Sequence, residues 1–109
     1  MKLVLVCYSG SSASILRDRM FAWARANLLD VEIIVSSLAG LDEDKEDADI
    51  VLVGPQVRCA LASVRERVPE RIPVMAVDTR DYGMAKGDRV MQAALDEIRQ
   101  YKKHKIHME

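Results

Sequence analysis

Cysteine is scarce in this 109-residue sequence, which contains only Cys7 and Cys59. Two cysteines cannot build the disulfide framework of a small secreted domain, so we expect reduced thiols in a cytoplasmic protein. Long apolar runs are absent too: none approaches the roughly 18 residues of a membrane span, and the first residues lack a signal-peptide pattern. We therefore expect neither a disulfide-rich scaffold nor insertion into a membrane.

Aromatic residues are few, with one Trp, one Phe and three Tyr, and 16 basic side chains are balanced by 17 acidic ones. A nucleic-acid-binding domain usually has a basic surface with interleaved aromatics, so we expect no nucleic-acid partner. The charges are unevenly distributed along the chain. Residues 1–54 carry five basic and nine acidic side chains, whereas residues 55–109 carry eleven basic and eight acidic ones. Such an asymmetry can orient a protein partner without identifying it.

Half of the residues are apolar, and their spacing predicts strands at 3–6, 31–35, 50–53 and 73–77. Glu32 makes the second strand the less buried one. Apolar residues at helical spacing predict three helices, formed by Ala13, Leu16, Met20, Phe21, Trp23 and Ala24; by Val57, Ala60, Leu61, Val64 and Val68; and by Val90, Met91, Ala94, Leu95 and Ile98. We expect the first to end near Leu28, Pro69 to end the second, and Asp88 to be able to cap the last.

The remaining segments are polar. The charge run 41–47 predicts a solvated loop or a short helix, and the tail from Lys102 is expected to fray. The alternation of elements predicts a parallel sheet with helices on both faces. Sites in such sheets form beyond the carboxyl ends of the strands, which selects the loops 7–14, 54–56 and 78–87.

Cys7 lies where the first strand ends, before a turn of small residues that leads into a helix. Backbone N–H groups in such a turn, together with the helix N-terminus, can bind an oxyanion and favour the thiolate of Cys7. The thiolate could then act as a nucleophile and hold a phosphoryl group. The alternative interpretation is that Cys7 is a small apolar residue finishing a buried strand.

Other phosphate-binding motifs fit less well. A cysteine-dependent tyrosine phosphatase needs Arg where this sequence has Ala13, and neither a Walker-type Gly-Lys-Ser nor the Rossmann glycine fingerprint follows a strand. His104 and His107 have the spacing of a ligand pair, but no third ligand is evident, so we expect no metal site. Cys59 lies opposite the apolar stripe of its predicted helix, so we expect it to be exposed and dispensable.

Over roughly residues 2–101, the sequence resembles the enzyme IIB component of the lactose/cellobiose (chitobiose) branch of the bacterial sugar phosphotransferase system. The resemblance rests on Cys7 before its Ser/Gly loop, on Leu52-Val53-Gly54-Pro55-Gln56 as the family's L-x-G-P-Q, and on Asp78 before Tyr82-Gly83-x-x-x-Gly87. It implies a domain over residues 1–103 with a short tail 104–109. The implied fold is a single-domain, three-layer αβα architecture, with a four-stranded parallel sheet of order 2-1-3-4, as in the low-molecular-weight tyrosine phosphatase and flavodoxin-like folds.

The resemblance also implies a function. Cys7 would take a phosphoryl group from a phosphohistidine on a IIA partner and pass it to a sugar of the cellobiose, chitobiose or lactose class held by a membrane IIC partner. The IIB subunit would be cytoplasmic, would dock transiently at the inner face of the membrane, and would need neither metal nor cofactor. Backbone amides would cradle the phosphocysteine along the loop of Tyr8, Ser9, Gly10, Ser11, Ser12, Ala13 and Ser14.

Supporting or partner-facing roles are implied for Gly54, Pro55, Gln56, Asp78, Tyr82 and Gly83. Structural alternatives exist for five of these residues. Gly54 and Pro55 end the strand, Gln56 leads into the helix instead of hydrogen-bonding to the Cys7 loop beside it, Asp78 caps the following helix and Tyr82 packs. Tyr8 either shields the phosphocysteine or is tolerated variation, and Arg17 either reaches toward the anion or extends its charge to solvent. Rival functions are a noncatalytic regulatory or scaffold domain and a cysteine-dependent phosphatase.

Overall fold

The computed structural model describes the backbone of residues 1–7 and 10–108, and the side chains of these residues except 10–12, 44 and 103–108. Strands and helices alternate along the described chain. Their bounds are β1 Lys2–Val6, α1 Gly10–Ala26, β2 Glu32–Ser36, α2 Leu41–Asp44, β3 Ile50–Val53, a 3₁₀ segment Pro55–Ala60, α3 Leu61–Arg67, β4 Val74–Ala76, α4 Thr79–Gly83 and α5 Gly87–Met108.

The four strands form one parallel sheet in the order β2-β1-β3-β4, which confirms the predicted order. Val6, at the end of β1, lies opposite Ser36 of β2 and Val53 of β3, and Val53 lies opposite Ala76 of β4. The strand order reverses between β1 and β3, so the carboxyl ends of these two strands mark the place where a site is expected.

Two hydrophobic cores lie on opposite faces of the sheet, because successive side chains of a strand point to opposite sides. Leu3 and Leu5 pack in the core formed with α1 and α5. Val4 and Val6 pack in the other core, formed with α2 and α3. Helices therefore cover both faces, and the three-layer αβα prediction is confirmed.

The structure corrects the first helix at two positions and at its end. Phe21, predicted to be buried, is 40% exposed, and Trp23 is only partly buried. The helix ends at Ala26 rather than near Leu28. Leu28 has a φ of 58°, and the amides of Leu28 and Leu29 donate to the carbonyls of Arg25 and Ala24 at 3.1 and 2.8 Å. This is the hydrogen-bond pattern of a Schellman motif, which stops the helix.

The second predicted helix is divided. Residues Pro55–Ala60 form a 3₁₀ segment, in which Val57 departs from helical dihedral angles, before α3 begins at Leu61. The predicted end is confirmed: Val68 is extended, as expected for the residue that precedes Pro69. The predicted buried face is confirmed in part: Val57, Val64 and Val68 are buried, while Ala60 and Leu61 are half-buried.

Three further differences lie toward the carboxyl terminus. The loop predicted after β4 contains a short helix, α4. The last helix begins at Gly87, so Asp88 lies in its first turn rather than capping it. The backbone of α5 continues as a helix through Met108, where the sequence predicted fraying from Lys102.

Candidate functional site

Cys7 immediately follows the central strand β1 and continues its pairing, since its amide donates to the Ser36 carbonyl at 2.9 Å. Its side chain is only 4% exposed and belongs to the core between the sheet and helices α1 and α5. Burial raises the pKa of the Cys7 thiol because a thiolate is poorly solvated in apolar surroundings. This direction is opposite to the stabilisation of the thiolate that the sequence predicted.

Helix α1 begins at Gly10, three residues after Cys7. The first N–H groups of an α-helix have no partner inside the helix, and they carry the positive end of its dipole. Ala13 packs into the core, so only its backbone can serve a ligand, and Ser14 is half-buried. Tyr8 and Ser9, and the side chains of Gly10, Ser11 and Ser12, lie outside the described residues. Their predicted role in the loop stays a prediction.

Gly54 lies beside Cys7 at the end of β3, where its amide donates to the Val6 carbonyl at 2.9 Å. A Cβ atom placed on Gly54 would lie 3.2 Å from Gln56 Oε1, 3.3 Å from the Val6 carbonyl oxygen and 3.4 Å from Tyr82 Cε2. The first two contacts are tighter than ordinary van der Waals packing, so the position favours glycine. The sequence motif thus has a steric reason, and it brings Gln56 and Tyr82 together around the end of β3.

The other residues of this motif are placed by local structure. Pro55 occupies the start of the 3₁₀ segment, as the structural interpretation predicts, because its fixed φ suits the first turn. Gln56 is exposed. The loop to which its side chain was predicted to hydrogen-bond lies partly outside the described residues, so that role stays a prediction.

The segment after β4 completes this edge of the sheet. Asp78 is the N-cap of α4, and its carboxylate accepts the Asp81 amide at 3.0 Å, which confirms the capping role. Tyr82 is 6% exposed within the same core as Cys7, and its hydroxyl makes no hydrogen bond to any described residue. Gly83 is exposed, and a Cβ atom there would meet nothing within 4 Å.

Arg17 does not belong to this group of residues. Its guanidinium pairs with Asp18 at 3.0 Å, and both line a cavity of about 580 Å³ together with Phe21 and residues 31–33. The cavity lies between α1 and the outer strand β2, and its lining does not include Cys7. Arg17 is partly exposed, in agreement with a charge that extends to solvent.

Two features of this edge were not predicted from the sequence. Arg58 Nη2 donates to Thr79 Oγ1 at 3.3 Å and so links the segment after β3 to the segment after β4. At Gly87, a Cβ atom would lie 2.4 Å from the Arg19 carbonyl carbon and 2.5 Å from the Met20 amide nitrogen. The spacing Tyr82-Gly83-x-x-x-Gly87 contained a signal for the second feature, whereas nothing in the sequence pairs Arg58 with Thr79.

Cys59 is exposed, which confirms its predicted placement. In the part of the chain that the structure describes, no three His, Cys, Asp or Glu side chains are grouped so that they could hold a metal ion. The side chains of His104 and His107 lie outside that part. Within the same part, no helix has the length and apolar character needed to cross a membrane.

The fold and site define a class: a parallel α/β domain with a buried cysteine at the carboxyl end of its central strand, at the reversal of strand order. Residues 2–93 match the family described as "PTS system, Lactose/Cellobiose specific IIB subunit". The chain belongs to this family, and it is therefore a IIB component, a phosphotransferase domain of a sugar transport system of the lactose/cellobiose class.

Individual relatives agree with this membership. The chain is 33% identical to the galactose-specific EIIB component of Lactococcus lactis subsp. cremoris (strain MG1363) and to the cellobiose-specific EIIB component of Lactococcus lactis subsp. lactis (strain IL1403). Each match extends over 98 residues, 84% of this chain and 91% of the relative. The oligo-beta-mannoside-specific EIIB component of Bacillus subtilis (strain 168) is 33% identical over 95 residues, 86% of this chain and 92% of the relative.

Solved structures give the same result. The solution structure of the cellobiose-specific phosphotransferase IIB component from Borrelia burgdorferi superimposes with a TM-score of 0.77 at 30% identity, covering 93% of this chain and 94% of the other. The lactose-specific IIB domain from Streptococcus pneumoniae shares the fold, with a TM-score of 0.74 at 17% identity over 89% and 96% of the two chains.

Proposed function

We propose that Cys7 accepts a phosphoryl group from a phosphohistidine of a IIA protein and passes it to a sugar held by a membrane IIC protein. The observation that carries the proposal is the position of Cys7, which closes the central strand at the reversal of strand order, three residues before α1 begins. Membership of the IIB family supports the same assignment. The subunit acts in the cytoplasm and docks at the inner face of the membrane while transferring its phosphoryl group.

The first transfer begins from a neutral thiol, because burial raises the pKa of Cys7. The sulfur attacks the phosphorus, the S–P bond forms as the P–N bond of the phosphohistidine breaks, and the thiol proton leaves with the imidazole nitrogen. No metal is required, because phosphoryl transfer depends mainly on positioning and on stabilisation of charge. The backbone amides of residues 8–14 and the positive end of α1 supply that stabilisation.

In the second transfer, a sugar hydroxyl attacks the phosphocysteine. A P–O bond forms, the S–P bond breaks, and the hydroxyl proton returns to the sulfur of Cys7. The thiol is regenerated, so each cycle begins from the same state.

Intact-protein mass spectrometry tests the proposal after incubation with phosphoenolpyruvate, the general phosphotransferase proteins and a lactose/cellobiose-type IIA protein. The unmodified sequence and Cys59→Ser should each gain one phosphoryl group, about 80 Da, and Cys7→Ser should gain none. Cys59→Ser is the matched control because it changes the same atom at an exposed position.

Three results would contradict the assignment. A phosphoryl group that persists on Cys7→Ser would place the nucleophile elsewhere in the chain. If no adduct forms with any of several IIA proteins, a noncatalytic regulatory or scaffold role for this edge of the sheet is favoured. Turnover of a small phosphate ester would instead favour a phosphatase.

A further inference from the structure

The connections that follow the four strands carry few charges. Residues 7–12 after β1 and 37–40 after β2 contain none, residues 54–60 after β3 contain Arg58, and residues 77–81 after β4 contain Asp78, Arg80 and Asp81. In a parallel sheet all four connections meet at the same edge. The edge that presents Cys7 therefore carries two arginines and two aspartates.

Both aspartates already have partners. The Asp78 carboxylate caps α4, and the Asp81 carboxylate lies 3.4 Å from Nε of Arg89 and is only 21% exposed. Neither of them pairs with Arg58 or Arg80. Neither arginine is therefore held in an ion pair with a described carboxylate, while the Asp78 carboxylate, whose partner is a backbone N–H group, keeps its charge.

The two arginines are exposed. The guanidinium of Arg58 makes one hydrogen bond, to the Thr79 hydroxyl, and this bond holds it against the segment that contains Arg80. Arg80 forms no ion pair with any described residue. Two arginines that form no ion pair with a described residue therefore face solvent from neighbouring segments at the edge where Cys7 lies.

A group of carboxylates lies at the opposite edge of the sheet. Around the amino ends of the strands, the side chains of Asp30, Glu32, Asp47 and Asp49 line one cavity with Lys2. This group of carboxylates repels an anionic surface, whereas the unpaired arginines at the Cys7 edge attract one.

We propose that Arg58 and Arg80 form a docking surface for an acidic face of the protein that donates the phosphoryl group. This inference rests on the proposed function, and it adds a recognition surface outside the motifs that carry the family resemblance. Charges at the rim of an interface act mainly on the rate of association and on its dependence on salt. The two arginines therefore raise the rate at which the donor binds and leave the rate of the chemical step unchanged.

The same surface also favours release of the donor after the phosphoryl group has been transferred. A phosphoryl group on Cys7 adds roughly −1.5 to −2 charges at neutral pH, about the charge that the two arginines supply. Once transfer is complete, the attraction between this edge and an acidic donor falls, and the donor is released. Capture of the charged donor and its departure after transfer then follow from the same pair of side chains.

Steady-state transfer from a phosphorylated lactose/cellobiose-type IIA protein to the full chain tests this surface. We expect Arg58→Gln and Arg80→Gln each to raise the KM for the donor about threefold or more, and the double variant about tenfold, with maximal rates within about twofold of the unmodified chain. Raising the salt concentration from about 0.05 to about 0.2 M should raise the KM for the donor more in the unmodified chain than in the double variant. Arg71→Gln, the same charge change at an exposed position near the amino ends of the strands, should leave KM unchanged.

A second readout is the equilibrium binding of unphosphorylated IIA protein to Cys7→Ser and to the same protein carrying the two arginine changes. An unchanged KM in the double variant, or an equal rise for Arg71→Gln, would overturn the surface while leaving the proposed function intact. Binding that depends on the arginines, together with no phosphorylation of Cys7 when the unmodified chain is given phosphorylated donor, would support the surface and reject the proposed function. The absence of both transfer and binding would reject both.

Discussion

Gly87 touches the backbone of Arg19: a Cβ atom on Gly87 would lie 2.4 Å from the Arg19 carbonyl carbon. The first residue of α5 therefore packs directly on α1 at a point where no side chain fits. These two helices form one wall of the core that contains Cys7. The contact accounts physically for a glycine at the end of the Tyr82-Gly83-x-x-x-Gly87 pattern.

Gly87→Ala should lower the free energy of unfolding by about 1–3 kcal/mol, the usual cost of forcing extra volume into a packed region. Urea unfolding followed by circular dichroism measures the change. Gly83→Ala is the matched control, since a Cβ atom there meets nothing within 4 Å, and it should have no destabilising effect. Equal losses in the two variants would show that the contact with α1 is not the cause.

Leu28→Gly should stabilise the protein by about 0.5–1 kcal/mol. Leu28 is 94% exposed and has a φ of 58°, a left-handed conformation that costs energy for any residue with a Cβ atom and suits glycine. Ala26→Gly, at the last residue of α1, should destabilise instead, by up to about 1 kcal/mol. Thermal unfolding of both variants measures the difference, and a loss of stability in Leu28→Gly would contradict the argument.

Tyr82→Phe should leave the free energy of unfolding within about 0.5 kcal/mol of its original value. The ring packs beside Gly54, but the hydroxyl makes no hydrogen bond to any described residue. Tyr82→Ala, which removes the buried ring, should cost about 3–5 kcal/mol. If Tyr82→Phe is as stable as expected but slows phosphorylation of Cys7, the hydroxyl acts in transfer, whereas an unchanged rate assigns Tyr82 to packing alone.

The two thiols should differ in reactivity. At pH 8, iodoacetamide should alkylate exposed Cys59 well before Cys7, because Cys7 is 4% exposed and burial raises its pKa. Peptide mass spectrometry after timed quenching gives both rates. The difference between the two alkylation rates should disappear in urea, where burial is lost. It should also become smaller as the pH rises toward the pKa of Cys7. A Cys7 that reacts first in the folded protein would mean that the thiolate is stabilised after all.

Asp42 should give the protein an acid-sensitive contribution to stability. The hydrogen bond from Lys45 lowers the pKa of Asp42, and the nearby guanidinium of Arg67 adds to the effect. A carboxyl group with a lowered folded pKa stabilises the fold above its unfolded pKa of about 3.9, and the contribution is lost as the pH falls through the folded pKa. Because the site is exposed, salt should weaken the effect.

Urea midpoints measured from pH 7 to pH 2.5 test this dependence. Asp42→Asn should lower the midpoint near neutral pH, and its difference from the unmodified chain should shrink below about pH 4. Asp96→Asn removes a carboxylate that forms only a long, exposed ion pair with Arg99 at 3.8 Å. It should leave the acid dependence unchanged.

Much of the fold could be predicted from local patterns. Apolar runs identified the strands, and the alternation of Leu3 and Leu5 with Val4 and Val6 divides the two cores as expected for a strand buried on both faces. The misassignments are at boundaries and on partly covered faces. Phe21 has the spacing of a buried residue, yet it lies at the margin of the face that packs on the sheet, and periodicity alone does not show how wide that face is.

The sequence by itself determined the class of fold, the family and the position of Cys7 at the end of the first strand. Those properties depend on periodicity and on short motifs whose residues are neighbours in the chain. Only the tertiary structure decided the burial that raises the pKa of Cys7, the contact of Gly87 with α1 and the bond between Arg58 and Thr79. Each of these joins segments far apart in the chain, and solvent exclusion and close packing arise only when such segments meet.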